Sequence, residues 1–119
     1  MAIIGSEKLP EKKLGMMNLT MLTPEREIFK GSVQSITVPG VGGKFQVLKN
    51  HAPVVSALEA GVVTVVTAVG ENLYFDDATG TIKTIDEAGK TLNFKIGGGF
   101  IEVLDNNISV LLNSVKEEN

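Results

Sequence analysis

The chain has no cysteine in its 119 residues. That excludes a disulfide framework, a thiolate metal site and a thiol nucleophile. Clustered positive charge is missing as well. The 11 basic residues are scattered against 14 acids, only Lys12 and Lys13 are adjacent, and the net charge is −3. Nucleic-acid binding needs basic groups gathered on one surface, so this balance argues against it. No apolar run approaches the roughly 18 residues that a membrane helix needs. There is one histidine, His51. A Ser-His-Asp catalytic set would have to use it as the base, yet no nucleophile elbow accompanies it, and no ligand spacing joins it to carboxylates as a metal site requires.

What is present is a run of short segments rich in Val, Ile, Thr and Phe, separated by Gly, Pro, Asn and Asp. That pattern predicts one all-β domain, a sandwich or barrel. In TLNFKI, Leu92, Phe94 and Ile96 fall on one face and Thr91, Asn93 and Lys95 on the other. NISVLL repeats this with Ile108, Val110 and Leu112. GVVTVVTAV (61–69) is apolar on both faces, which suggests burial on both. In SVQSITV, Val33 is out of phase with Ile36 and Val38, the mark of a bulge or strong twist. Asp76 to Gly80, Asp86 to Gly89 and Asp105 to Asn107 read as turns. SALEA (56–60) is the single helix-like stretch, and Thr23 with Pro24 is suited to cap one turn. Residues 1–15, mixed in charge and weak in apolar period, read as an N-terminal extension ahead of a module at 16–119. They lack the apolar core of a signal peptide and carry acids a transit peptide avoids. The strand-like ENLYF at 71–75 resembles a protease site by chance.

The remaining candidates for chemistry read better as structure. Gly97 to Gly99 lack the Lys-Ser/Thr of a phosphate loop and precede a strand, so a bulge or a close backbone approach is expected. The acid pairs at 76–77 and 86–87 lack the alternating oxygen ligands of a calcium loop. His51 is expected to hold a turn or an interface through a hydrogen bond. The glycine-rich stretch 40–43 before Lys44 is the flexible element best placed to be a contact loop. These residues imply a β-sandwich binding or assembly module without a visible active site and with no cofactor.

The ordered set LTMLTPEREIFKGSVQSITVPG, GKFQVLKNHAP and GGFIEVLDNNISVLLN, over residues 18–113, resembles the epsilon subunit of F-type ATP synthases. The resemblance implies a flattened β-sandwich of about ten strands. It also implies a non-catalytic rotor part that packs on the gamma subunit, rests on the membrane c-ring and passes torque to the alpha and beta subunits. By that resemblance the protein sits peripherally on the cytoplasmic side of a bacterial inner membrane. Gly40, Val41, Gly42, Gly43 and Lys44 would face the c-ring, and Thr23, His51 and Ser56 would face gamma. Lys44 stands where the family often has an acid. Residues 70–90 read as an enlarged ribbon. The chain stops at 116–119, after what reads as the last strand, so the family's C-terminal pair of helices is not expected. The rival expectation is a free-standing sandwich that binds a sugar or calcium.

Overall fold

Alternation of apolar and polar residues dictates extended chain, and the computed structural model describes residues 16–76 and 78–118 as eleven strands. In chain order they are β1 (Met17–Leu22), β2 (Glu27–Gly40), β3 (Gly43–Val47), β4 (Val54–Leu58), β5 (Gly61–Thr67) and β6 (Asn72–Asp76). They continue as β7 (Thr81–Ile85), β8 (Thr91–Ile96), β9 (Gly99–Leu104), β10 (Asn107–Leu112) and β11 (Val115–Glu118). Residues 1–15, read above as an extension, lie outside the described residues.

The strands follow the order β1-β10-β9-β4-β2-β5-β8-β11 and form a β-sandwich. The long strand β2 makes this possible. Its first half pairs with β1 and β6, and its second half pairs with β3 and β5. Two irregularities keep its core-facing side in phase over 14 residues. Ile28 is extra between the pairings Met21↔Phe29 and Leu22↔Glu27, so Ile28 and Phe29 are both buried. Gln34 is extra between Val33↔Thr67 and Ser35↔Val66, which is the bulge expected from the misphased Val33. The Gln34 side-chain Nε2 donates to the Thr67 carbonyl at 3.1 Å and holds the bulge.

The core joins β1, β2, β5, β8, β9 and β10. Met21, Phe29, Ile36, Val65, Phe94, Ile101 and Val110 are each at most 1% exposed. NISVLL buries the face its alternation predicts, and in TLNFKI Phe94 and Ile96 are buried while Leu92 is half-buried. The β5 stretch is sided instead: Val63, Val65 and Thr67 are buried, while Val62 and Val66 face outward and are only partly covered. Two further corrections concern the secondary structure. SALEA forms no helix, because Ser56, Ala57 and Leu58 pair with Ile101, Phe100 and Gly99 as part of β4. NISVLL is not the last strand either. The polar VKEE pairs along β8 from Val115↔Ile96 to Glu118↔Asn93.

A β-ribbon of β6 and β7 leaves the sandwich beside β2. It is fixed at its root by Asn72, which is fully buried. Asn72 Oδ1 accepts from the Ser32 amide at 2.7 Å, and Nδ2 donates to the Ala68 carbonyl at 3.1 Å. Gly31 makes the room: a Cβ there would lie 2.7 Å from Asn72 Cγ. Buried Thr67 organises the next turn. Its hydroxyl donates to the Glu87 carbonyl at 2.8 Å and accepts from the Lys90 amide at 2.9 Å.

Candidate functional site

The stretch Gly40 to Lys44 closes the β2–β3 hairpin. Gly40 pairs with Gly43, so only Val41 and Gly42 form the turn. Gly43 takes φ 134°, a conformation open chiefly to glycine. The tip is not the flexible loop expected. The Val41 amide donates to the Ala57 carbonyl at 3.0 Å, and the Glu59 amide donates to Pro39 at 2.9 Å. These bonds flank the one β2–β4 pairing, Gly40↔Leu58, and clip the hairpin to β4. Val41 and Lys44 remain exposed, Val41 at 60%.

His51 lies at the opposite end of β4. Its amide donates to the Leu48 carbonyl at 3.0 Å, and Nδ1 lies 2.7 Å from the Ala52 carbonyl. A carbonyl only accepts, so Nδ1 carries the proton and Nε2 is left for solvent or a partner. The loop is clamped by paired amides. The Asn50 amide N–H donates to Asn106 Oδ1 at 2.7 Å, and Asn106 Nδ2 donates to Asn50 Oδ1 at 3.2 Å. Asn50 and Asn106 both hold positive φ, 66° and 64°, which asparagine tolerates better than most residues. His51 therefore sits in a turn with a hydrogen-bond partner. Among the described residues no three His, Asp or Glu side chains gather as a metal site would.

Thr23 follows β1 at the other end of that strand. Its hydroxyl accepts from the amides of Glu25 and Arg26, each at 3.3 Å, so the predicted cap forms on a bend and not on a helical turn. Arg26 lies 4.2 Å over the Phe75 ring and walls a cleft with Phe94, Asn113 and Ser114. Ser56 lies within β4, and its hydroxyl donates to the Ala57 carbonyl at 3.1 Å. Thr23 and His51 are thus not neighbours, since the length of β1, about 17 Å at 3.4 Å per residue, separates their ends. The hairpin tip shares the Thr23 end, through the pairings Gly40↔Leu58, Leu58↔Gly99 and Gly99↔Leu112.

The acidic turns have structural roles. Asp76 accepts from the Ala78 amide at 3.0 Å and pairs with Lys83 at 2.8 Å across the ribbon. The Lys83 ammonium holds this carboxyl below the ordinary value of 3.8. Asp77 lies outside the described residues. At Gly99 a Cβ would collide with the Leu111 carbonyl and come 2.9 Å from Leu112 Cα, the close backbone approach expected there.

One surface feature was not resolved by strand periodicity. On the layer β4-β9-β10-β1, the pairings Ala57↔Phe100, Phe100↔Leu111 and Leu111↔Leu22 align an outward apolar row. Phe100 is 58% exposed and Leu111 54%, with Val55 at 72% and Leu104 at 50% nearby. The outward side of β5-β8-β11 is more polar. Thr64 pairs with Asn93 and bonds it at 2.7 Å, and Lys95 pairs with Lys116. The only hint in the sequence was that Phe100 and Leu111 occupy the polar phase of their strands.

A model of the ATP synthase delta/epsilon chain β-sandwich domain matches residues 16–77. An ATP synthase epsilon chain of Leptospira borgpetersenii is 36% identical over 95 residues, covering 80% of this chain and 59% of that protein. An ATP synthase epsilon chain of Pelotomaculum thermopropionicum is 32% identical over 98 residues, covering 82% and 58%. The chain thus spans less than two thirds of the length of these relatives. Among solved structures, a chain of the Euglena gracilis mitochondrial ATP synthase (OSCP, F1 and c-ring) superposes with TM-score 0.66 at 21% identity, over 87% of this chain and 54% of that one. A chain of the Tetrahymena thermophila ATP synthase central stalk and c-ring gives 0.56 at 17% identity, over 84% and 65%. At these identities the superpositions show the fold.

Proposed function

This chain belongs to the ATP synthase delta/epsilon chain family through its β-sandwich domain, and from that premise we propose that it is a non-catalytic central-stalk subunit. In this reading it links a gamma subunit to a membrane c-ring and so couples proton transport to rotary ATP synthesis in the alpha and beta subunits. It would sit peripherally, on the cytoplasmic side of a bacterial inner membrane. Among the described residues no helix is long and apolar enough to cross a membrane.

The observation that carries the reading is the asymmetry of the two outward layers. One presents Val55, Phe100, Leu104 and Leu111 to solvent, and the other is largely polar. Contiguous exposed apolar side chains mark a surface that a partner covers. Gamma covers that layer in this proposal, with Thr23 and His51 at its two ends; Ser56 belongs to its β4 strand but pairs with buried Ile101, on the phase opposite the outward row. The pinned tip Gly40, Val41, Gly42, Gly43 and Lys44 meets the c-ring. A clipped two-residue turn suits a contact that must bear force, because it has little freedom to lose on docking.

The test is assembly. Mixed with the gamma subunit from the same source, the chain should give a stable one-to-one complex, and Lys44→Glu should weaken retention on a c-ring several-fold. Absence of a gamma complex would overturn the proposal, and unchanged ring binding by Lys44→Glu would remove that tip from the contact.

A further inference from the structure

The apolar layer carries an acid near its centre. Glu102 lies between outward-facing Phe100 and Leu104 on β9, with Val55 opposite on β4 and Ser109 opposite on β10. Among the described residues it has no ion-pair partner. The basic residue in its row is Lys30, reached through Glu102↔Ser109, Ser109↔Thr20 and Thr20↔Lys30. Three strand spacings are about 14 Å, far beyond ion-pair distance.

In water this carboxylate is solvated and costs nothing. An apolar partner laid over Phe100, Leu111 and Val55 would strip that water and leave an uncompensated charge, which is strongly unfavourable unless a cation meets it. Resting on the central-stalk reading above, we infer that the gamma surface covering this layer presents an Arg or Lys side chain to Glu102, flanked by apolar side chains. The hydrophobic row then supplies the covering contact. The acid sets the register and rejects surfaces that lack the cation.

Four proteins separate the possibilities: wild type, Phe100→Asp, Glu102→Gln and Glu102→Lys, each titrated against gamma at low and high salt. Both substituted side chains, Phe100 and Glu102, are exposed, so unchanged circular dichroism melts are expected for the three variants and confirm folding. Phe100→Asp should weaken binding at least about tenfold by breaking the apolar row. Glu102→Lys should do the same by like-charge repulsion, and Glu102→Gln should cost about three- to tenfold and flatten the salt dependence. If Phe100→Asp weakens binding while both Glu102 variants match wild type, the face stands and the cation inference falls. If wild type itself does not bind gamma, the central-stalk reading falls and takes the inference with it.

Discussion

Asn72 is the side chain whose loss should most disturb the root of the ribbon. It has no exposed surface, and its amide replaces main-chain pairing where β2 passes from β6 to β5. Asn72→Ala removes two hydrogen bonds, to the Ser32 amide and to the Ala68 carbonyl. Each contributes about 1 kcal/mol net, and a donor left without an acceptor away from water adds about 1–3 kcal/mol, so a loss of roughly 3–5 kcal/mol is expected. For a domain of this size that corresponds to a fall in Tm of roughly 15–30 °C. Urea unfolding should show a lower midpoint with an unchanged slope. Gly31 supplies an internal check. Its added Cβ would meet Asn72 Oδ1, Cγ at 2.7 Å and Cβ at 2.8 Å, so Gly31→Ala expels the same amide. With Asn72→Ala already in place, two of those three contacts are gone. Gly31→Ala should then cost at least about 1 kcal/mol less than it does in wild type. A loss below about 0.5 kcal/mol for Asn72→Ala would refute the reasoning, as would an equal cost of Gly31→Ala in both backgrounds.

Gly99→Ala should destabilise by about 1–3 kcal/mol in the same urea assay, because its Cβ meets the Leu111 carbonyl and Leu112 Cα. Gly42→Ala, whose Cβ would meet nothing within 4 Å, should stay within about 0.5 kcal/mol of wild type. The Asp76 carboxyl is depressed below its ordinary 3.8 by Lys83, so its stabilisation is present above that pH and disappears as acid titrates it through the lower native value. Hydrogen exchange in β6 and β7 should therefore accelerate as pH falls below 3.8, after correction for intrinsic exchange, and Asp76→Asn should abolish that acid-dependent part. A ribbon equally protected on both sides of that pH would refute the role of the ion pair.

Strand identity was legible wherever one chain segment carried its own alternation, as in TLNFKI and NISVLL. It failed where pairing decided. SALEA is too short for its apolar spacing to distinguish helix from strand, and it is extended because β9 supplies hydrogen bonds along it. VKEE has no apolar alternation, and β8 makes it a strand. The hairpin tip read as flexible because glycine is locally permissive, yet the carbonyl that pins Val41 belongs to Ala57, sixteen positions later. The turn at His51 was legible from the residue's lack of chemical partners, but the clamp beside it joins Asn50 to Asn106 across 56 positions.

The outward apolar row has the same origin, and it depends on one turn. Asp105 and Asn106 both take positive φ, 48° and 64°, which makes the two-residue hairpin that opposes Leu104 to Asn107. Counting back from that pair sets Phe100 against Leu111 and Ile101 against Val110. A one-residue slip would turn β10 over and bring Ile108, Val110 and Leu112 to the surface. Burial of those three side chains and outward alignment of Phe100 with Leu111 are therefore consequences of one register. A core that needs Val110 inside leaves Leu111 outside, on the face that the proposed gamma contact would cover.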